Sequence, residues 1–457
     1  MKISVINGSP KGDDSITLQT VRYAQKNLGF EMEIFNIADR MTKIEHDEEY
    51  IKGLINEVVK NDVIVWSFPV YHFTIPYQLK KFIEKIFEYS LNDRFWGKYS
   101  LGVTTSIHFY DTMAHNYIHS ISEDLGMFYL EGINHEMQDL FHPKRQKEIL
   151  DKFNYLQIVT KAKTKLPQKF KKIIKSAIDI DLIPLKESRK QSRYRIVLIK
   201  SGSTNQNLEK MIAYFDSRIG YEIEIVDISK ININGGCTGC CICGYDNKCI
   251  KADEFVEFYK EKVMKADAII FAMEIRDRLF SAEFKKFFDR TFFLGHSFHM
   301  KGKHCAYIVE GELFQLDNLR AEFEARSEVG ELNLVGVATN DYLTEDEVKC
   351  SLDFIKNNLE WSLEKEVISP KTFNTVAGHK IFRDFVYLMG GVFRADYKYY
   401  TKNEEFDFPK FYHPLRFFNV WLRLILKIDK FRIVFNSKIK SAMCMKHKKM
   451  VDEMDMQ

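Results

Sequence analysis

Residues Met1–Thr17 read MKISVINGSPKGDDSIT. Ile3, Val5 and Ile6 form the short apolar run that a buried parallel strand carries. Asn7 and Gly8 end it. A polar loop follows, with hydroxyls at Ser9, Ser15 and Thr17 and a cation at Lys11. A helical pattern, Leu18–Leu28, starts directly after it. Strand, Gly/Ser loop and helix start together make an anion site, because free backbone N–H groups and the positive end of the helix dipole face the loop. The same residues also suit an ordinary βα turn with helix caps. The loop alone does not separate the two readings.

Working outward, strand patterns recur at Lys2–Asn7, Glu31–Asn36, Asp62–Phe68, Ser100–Thr105 and Met127–Ile133, with helical stretches between them. That alternation predicts an open, parallel α/β sheet. The second half repeats it. Lys60-Asn61-Asp62 and Lys265-Ala266-Asp267 each open an apolar strand, Leu79-Lys80-Lys81-Phe82 matches Phe284-Lys285-Lys286-Phe287, and Gly97-Lys98 matches Gly302-Lys303, all 205 positions apart. Near the start the offset is 194, between Gly8 and Gly202, so the second copy holds 11 extra residues before its third strand. A constant register over several motifs is the mark of an internal duplication.

The expected organisation is a first α/β domain at 1–160, a basic linker at 161–192, a second α/β domain at 193–369 and a helical tail at 370–457. The linker carries KAKTKLPQKFKKIIK and KESRKQSR, which reads as a solvated connector with room for one helix. In the tail, Phe417–Phe435 is aromatic and aliphatic, dotted with Arg and Lys. Packing on its own domain or on a twin subunit is the expected use, and contact with an anionic membrane surface the less expected one.

With 457 residues, two or three domains of ~150 residues fit. A net charge of +3 is too small to argue for nucleic acid. No run of apolar residues is long enough for a spanning helix. The start shows no signal-peptide pattern, so the 8 Cys are expected in a reducing cytoplasm, where clustered Cys suggest metal or redox chemistry.

In a doubly wound sheet of order 2-1-3-4-5, ligands sit beyond the carboxyl ends of strands one and three. The loop after strand three, Ser67–Pro76, is aromatic and carries Pro69 and Pro76. The loop after strand four holds Thr105, Ser106, His108, Tyr110 and Asp111. One loop suited to phosphate, one rigid and aromatic and one polar match a flavin mononucleotide.

Gly8-Ser9-Pro10-Lys11, Pro69-Val70-Tyr71 and Leu79-Lys80-Lys81-Phe82, in that order, resemble the flavodoxin-like NAD(P)H-dependent oxidoreductases, which include FMN reductases and iron–sulfur flavoproteins. The resemblance implies two tandem flavodoxin-like, doubly wound five-stranded sheets. It implies FMN held by Ser9, Lys11, Ser15, Thr17, Pro69, Val70, Tyr71, His72 and Phe73, with Thr105, Ser106, His108 and Tyr110 at the ring edge. It also implies hydride transfer from NAD(P)H through FMN to an acceptor. Tyr71, His108 and Tyr110 are the candidates for handling a proton. Strand-end capping and helix starting are the more expected use of His108 and Tyr110.

The second copy keeps hydroxyls in its first loop, Ser201–Asn207, but lacks the Pro and the cation. Its third-strand loop, Ala272–Arg278, is charged, so FMN there is doubtful. What it gained is Cys237, Cys240, Cys243 and Cys249, spaced C-x2-C-x2-C-x5-C, with Cys241 spare. That run suits a [4Fe–4S] cluster, a zinc ion, or plain thiols without metal. The expected activity is an FMN-dependent NAD(P)H oxidoreductase with a small-molecule or ferredoxin-like acceptor. The rivals are an iron–sulfur flavoprotein that only carries electrons and a scaffold that has lost its cofactor. Such chains commonly form homodimers, and the duplication also allows one chain to mimic a dimer.

Overall fold

The structure, a computed structural model, describes residues 1–185, 191–202, 205–408 and 413–438. Its contacts divide the chain into two units, Met1–Tyr400 and Thr401–Gln457.

In the first copy, β1 (Lys2–Asn7), β2 (Glu31–Asn36), β3 (Val63–Pro69), β4 (Tyr99–Thr105) and β5 (Phe128–His135) form a parallel sheet in the order β2-β1-β3-β4-β5. Helices α1 (Ile16–Leu28), α2 (Met41–His46), α3 (Glu48–Val58), α4 (Tyr77–Glu88), α5 (Asp111–Asp124) and α6 (Pro143–Lys161) cover it. The central strands β3 and β4 are buried almost throughout, as strands covered on both faces must be.

The second copy repeats this with β6 (Gln191–Lys200), β7 (Tyr221–Asp227), β8 (Ala268–Arg276), β9 (Leu279–Phe280), β10 (His304–Glu310) and β11 (Asn333–Thr339). The parallel order β11-β10-β8-β6-β7 is again the doubly wound one. The sheet differs from the expected five strands by β9, which folds back antiparallel on β8. Its helices are α7 (Gln206–Arg218), α8 (Phe255–Phe258), α9 (Ala282–Arg290), α10 (Asp317–Val329) and α11 (Glu345–Lys365). Next come α12 (Phe373–Leu388) and α13 (Arg394–Lys402).

One apolar core fills the outer face of the first sheet and another that of the second. A third is shared: Phe82, Ile83 and Ile86 of α4 join Phe284, Phe287 and Phe288 of α9 in one cluster. The two copies therefore meet through equivalent helices, as the halves of a two-fold dimer do.

The linker is corrected in two respects. No helix forms in its described residues 162–185, because Pro167 and the dense lysines oppose one. Nor is it simply solvated. Ile180 and Leu182 are buried in the second copy's outer core. Ile178 exchanges backbone and side-chain hydrogen bonds with Asn340, and Ile180 N–H donates to Asn207 Oδ1 at the start of α7. This strap crosses the carboxyl end of the second sheet.

In the second unit, α14 (His413–Ile425) is helical, and Phe417, Phe418, Trp421 and Leu424 are exposed. Among the described residues no helix is long and apolar enough to cross a membrane.

Candidate functional site

The Met1–Thr17 loop is held by its own polar groups. Asn7 Nδ2 donates to Gly12 O and to Asn36 Oδ1, both at 2.8 Å. Ser15 caps α1 by accepting from Leu18 N–H at 3.3 Å. Thr17 donates to Thr105 Oγ1 at 2.8 Å, tying the first loop to the loop after β4. Gly8 is required by packing: a Cβ there would come within 2.8 Å of Leu79, so the first motif rests directly on the L-K-K-F helix.

After β3, Tyr71 and Thr74 exchange backbone hydrogen bonds around a two-residue turn. His72 and Phe73 occupy it at φ 39° and 76°. Left-handed backbone at bulky residues is strained and needs outside support. The second copy supplies that support. Lys285 Nζ donates to Tyr71 O at 2.8 Å. Arg326 Nη2 lies 3.4 Å from His72 O, and Thr291 Oγ1 lies 3.2 Å from His72 Nε2. The Phe292 ring packs on His72, tilted by 33°, with centroids 4.0 Å apart. Burial, reinforced by the nearby Arg326 and Lys285 cations, pushes the His72 imidazole well below its ordinary pKa, so it stays neutral.

The loops enclose a cavity of about 440 Å³. Its polar end holds Ser9, Lys11, Ser15 and Thr17 at the start of α1. Pro69, Val70, Tyr71, His72, Phe73, Thr105 and Ser106 line its middle. The far side comes from the second copy and α12; it is mostly aromatic, with Phe292, Phe298, Phe382 and Phe385, and also carries His296 and Arg326. Hydroxyls, an ammonium group and a helix N-terminus fit a phosphate, and the aromatic chamber beside them fits a flat ring, so the donor set suits FMN.

His108 and Tyr110 stand outside this lining. Both have left-handed backbone, φ 56° and 54°. His108 Nδ1 pairs with Asp111 Oδ2 at 2.8 Å, and the Tyr110 ring packs on Phe73 at 4.8 Å. The wall from the second copy was not singled out from sequence. Its residues follow no local pattern, and the duplication was the one available signal, since it allowed an internal dimer-like seam.

The Cys loop lies against the first copy's turn. Gly239, at φ 64°, is pressed on Tyr71, such that a Cβ would overlap the Tyr71 hydroxyl, and it would lie 3.2 Å from Lys11 Cε. Gln78 Nε2 donates to Cys237 O at 3.3 Å. Burial pushes the Cys237 thiol up to about 12. Burial and the neighbouring Cys240, Cys249 and Cys241 push Cys243 up to about 11. Arg290 Nη2 lies 3.8 Å from Cys249 Sγ and is paired with Asp253. Cys240 and Cys241 are exposed. Among the described residues, no three His, Cys, Asp or Glu side chains converge on a common metal position.

The family model described as NADPH-dependent FMN reductase matches residues 1–134 and 194–343, together more than half of the chain. The iron–sulfur flavoprotein of Archaeoglobus fulgidus is 34% identical over 110 residues, 24% of this chain and 49% of that protein. The chain thus matches about half the length of that curated relative. Among solved structures, an apo NADH:FMN oxidoreductase aligns with 34% of this chain and 88% of its own, at 14% identity and a TM-score of 0.30. An FMN-dependent NADH-azoreductase of Bacillus anthracis aligns with 36% of this chain and 98% of its own, at 18% identity and a TM-score of 0.25.

Proposed function

The chain belongs to the NADPH-dependent FMN reductase family, and we propose from this that it is an NAD(P)H-dependent flavin oxidoreductase with one FMN site, in the crevice of the first copy. The carrying observation is a single cavity that joins a phosphate-suited end to an aromatic chamber. Ser9, Lys11, Ser15 and Thr17 would hold the phosphate. Pro69, Val70, Tyr71, His72 and Phe73 would bracket the ring, with Thr105 and Ser106 at its edge. FMN, when bound, supplies the hydride relay between nicotinamide and acceptor. The protein's own part is to bind, orient and keep water from the ring. His108 and Tyr110 shape the third loop from outside. The second crevice is left without FMN, since it lacks the cation of the first loop and the strap covers its carboxyl end. Free thiols at Cys237, Cys240, Cys241, Cys243 and Cys249 suit a reducing cytoplasm.

Anaerobic titration of the FMN-loaded chain with NADPH and NADH tests this. Bleaching of the flavin band at one equivalent of either nicotinamide supports the reading. A flavin that neither reduces would sink it.

A second reading has its own observation. The Cys loop sits directly on Tyr71 and Lys11 of the flavin crevice. A [4Fe–4S] cluster on Cys237, Cys240, Cys243 and Cys249 would then adjoin the flavin and exchange single electrons with a ferredoxin-like partner. The thiols suit such a cluster in kind. They would have to draw together to bind it. Iron and acid-labile sulfide assays on anaerobically purified protein decide between the readings, with about four irons per chain expected for a cluster.

A further inference from the structure

Three imidazoles line the cavity: His72, His296 and His299. Two are held neutral. His72 is buried near Arg326 and Lys285, and burial takes His299 down to about 4. His296 has a carboxylate partner. Its Nδ1 lies 3.0 Å from Oδ2 of Asp396, which is fully buried. The other oxygen, Oδ1, has no hydrogen-bond partner among the described residues. The pair is built tightly. A Cβ on Gly295, at φ 60°, would overlap the Asp396 carboxylate. Tyr400 donates its hydroxyl to His296 O at 3.2 Å. The ring is walled by Phe382, Phe385 and Phe393 at 5.0–5.1 Å between centroids. With Nδ1 committed to Asp396, Nε2 is the nitrogen left for a ligand.

We propose that His296, oriented by Asp396, is the proton donor to the acceptor reduced in this cavity. The assignment deepens the oxidoreductase reading and rests on it. A carbonyl acceptor that gains a hydride needs a proton on oxygen. The balance is NAD(P)H plus acceptor plus one proton giving NAD(P)⁺ and the two-electron-reduced acceptor. The hydride originates on the nicotinamide. In the protonated imidazole, Nδ1–H is held by Asp396, and Nε2–H passes to the acceptor oxygen. Solvent then reprotonates the ring. Asp396 and Tyr400 of α13 contact His296, at Nδ1 and at the backbone oxygen; His299 lies near the same carboxylate, and neutral His72 and Arg326 line the same cavity. Helix α12 brings Phe382 and Phe385 against the ring.

The test compares two acceptors in the FMN-loaded full chain. A water-soluble 1,4-naphthoquinone takes two electrons and protons, whereas ferricyanide takes one electron and no proton. His296→Gln is expected to lower the naphthoquinone-to-ferricyanide rate ratio about 100-fold or more. Asp396→Asn should lower it less. Independently of turnover, nitrogen NMR of the cofactor-free chain should show His296 protonated on Nδ1, with the tautomer redistributed in Asp396→Asn. An unchanged ratio, or equal losses with both acceptors, would overturn the assignment. A wild-type chain that turns over neither acceptor would overturn the oxidoreductase reading as well.

Discussion

The Lys285 ammonium lies 2.8 Å from the carbonyl oxygen of Tyr71, across the seam between the two copies. Its counterpart Lys80, 205 positions earlier, donates to Arg276 O at 2.7 Å in the opposite direction. The helix starts are exchanged in the same way. Asp289 accepts from Tyr77 N–H at 2.7 Å, and Glu84 accepts from Ala282 N–H at 2.5 Å. This is an isologous interface inside one chain. Each copy braces the tight turn after the other's third strand, and in the first copy that turn forms the cavity wall.

Lys285 and Asp289 are fully buried and paired. Burial pulls the lysine down and pushes the aspartate up, each partly offset by the other's charge. Lys285→Met strands a buried carboxylate and should cost about 3–5 kcal/mol in urea unfolding. The double variant Lys285→Met/Asp289→Leu should recover part of that loss. FMN affinity should stay reduced in both, since the Tyr71 carbonyl loses its anchor. Equal stability of the single variant and wild type would show that the pair does not brace the seam.

Gly239 should tolerate no side chain while Tyr71 keeps its hydroxyl. Gly239→Ala should lower the melting temperature and weaken FMN binding, through both the left-handed backbone and the overlap with Tyr71. Adding Tyr71→Phe should restore part of the loss. A melting curve for the double variant below that of Gly239→Ala would contradict the contact.

The raised thiols of Cys237 and Cys243 stay protonated near pH 7, so a metal must displace their protons. Metal uptake by the thiol loop, followed with cobalt(II) absorbance, should therefore strengthen as pH rises from 6 to 9. In the metal-free chain, alkylation should reach the exposed Cys240 and Cys241 well before Cys237 and Cys243. Peptide mapping after timed iodoacetamide treatment reads this order directly.

His115 and His299 are both taken down to about 4 by burial. The unfolded chain binds protons at these positions below about 6.5, and the folded chain does so only near 4. Their contribution to stability is complete above pH 6.5 and is lost as pH falls toward 4. Urea midpoints should drop between pH 7 and pH 5. His115→Gln, which removes a titrating group, should flatten that drop even if it lowers the midpoint at pH 7.

Much of the frame was legible because parallel central strands are short and continuously apolar. The central strand Lys2–Asn7 stands where its apolar run put it, and the half-exposed edge strand Glu31–Asn36 also has the expected bounds. The constant spacing of Lys80 and Lys285 carried the second sheet. Other features left no local trace. His72 and Phe73 hold a left-handed turn without glycine, stabilised by contacts more than 200 positions away. Phe292, His296 and Phe382 reach the cavity only once the two copies dock. By contrast, the linker's Ile178, Ile180 and Leu182 alternate with Asp179 and Asp181, a strand-like signal in a Lys-rich segment, and the burial of Ile180 and Leu182 shows that the segment is a strap.

Fluorescence titration of the cofactor-free full chain with FMN tests the central claim most directly. One site per chain is expected, weakened at least tenfold by Lys11→Ala together with Thr17→Val. No binding, two equivalent sites, or a single site indifferent to those substitutions would contradict it.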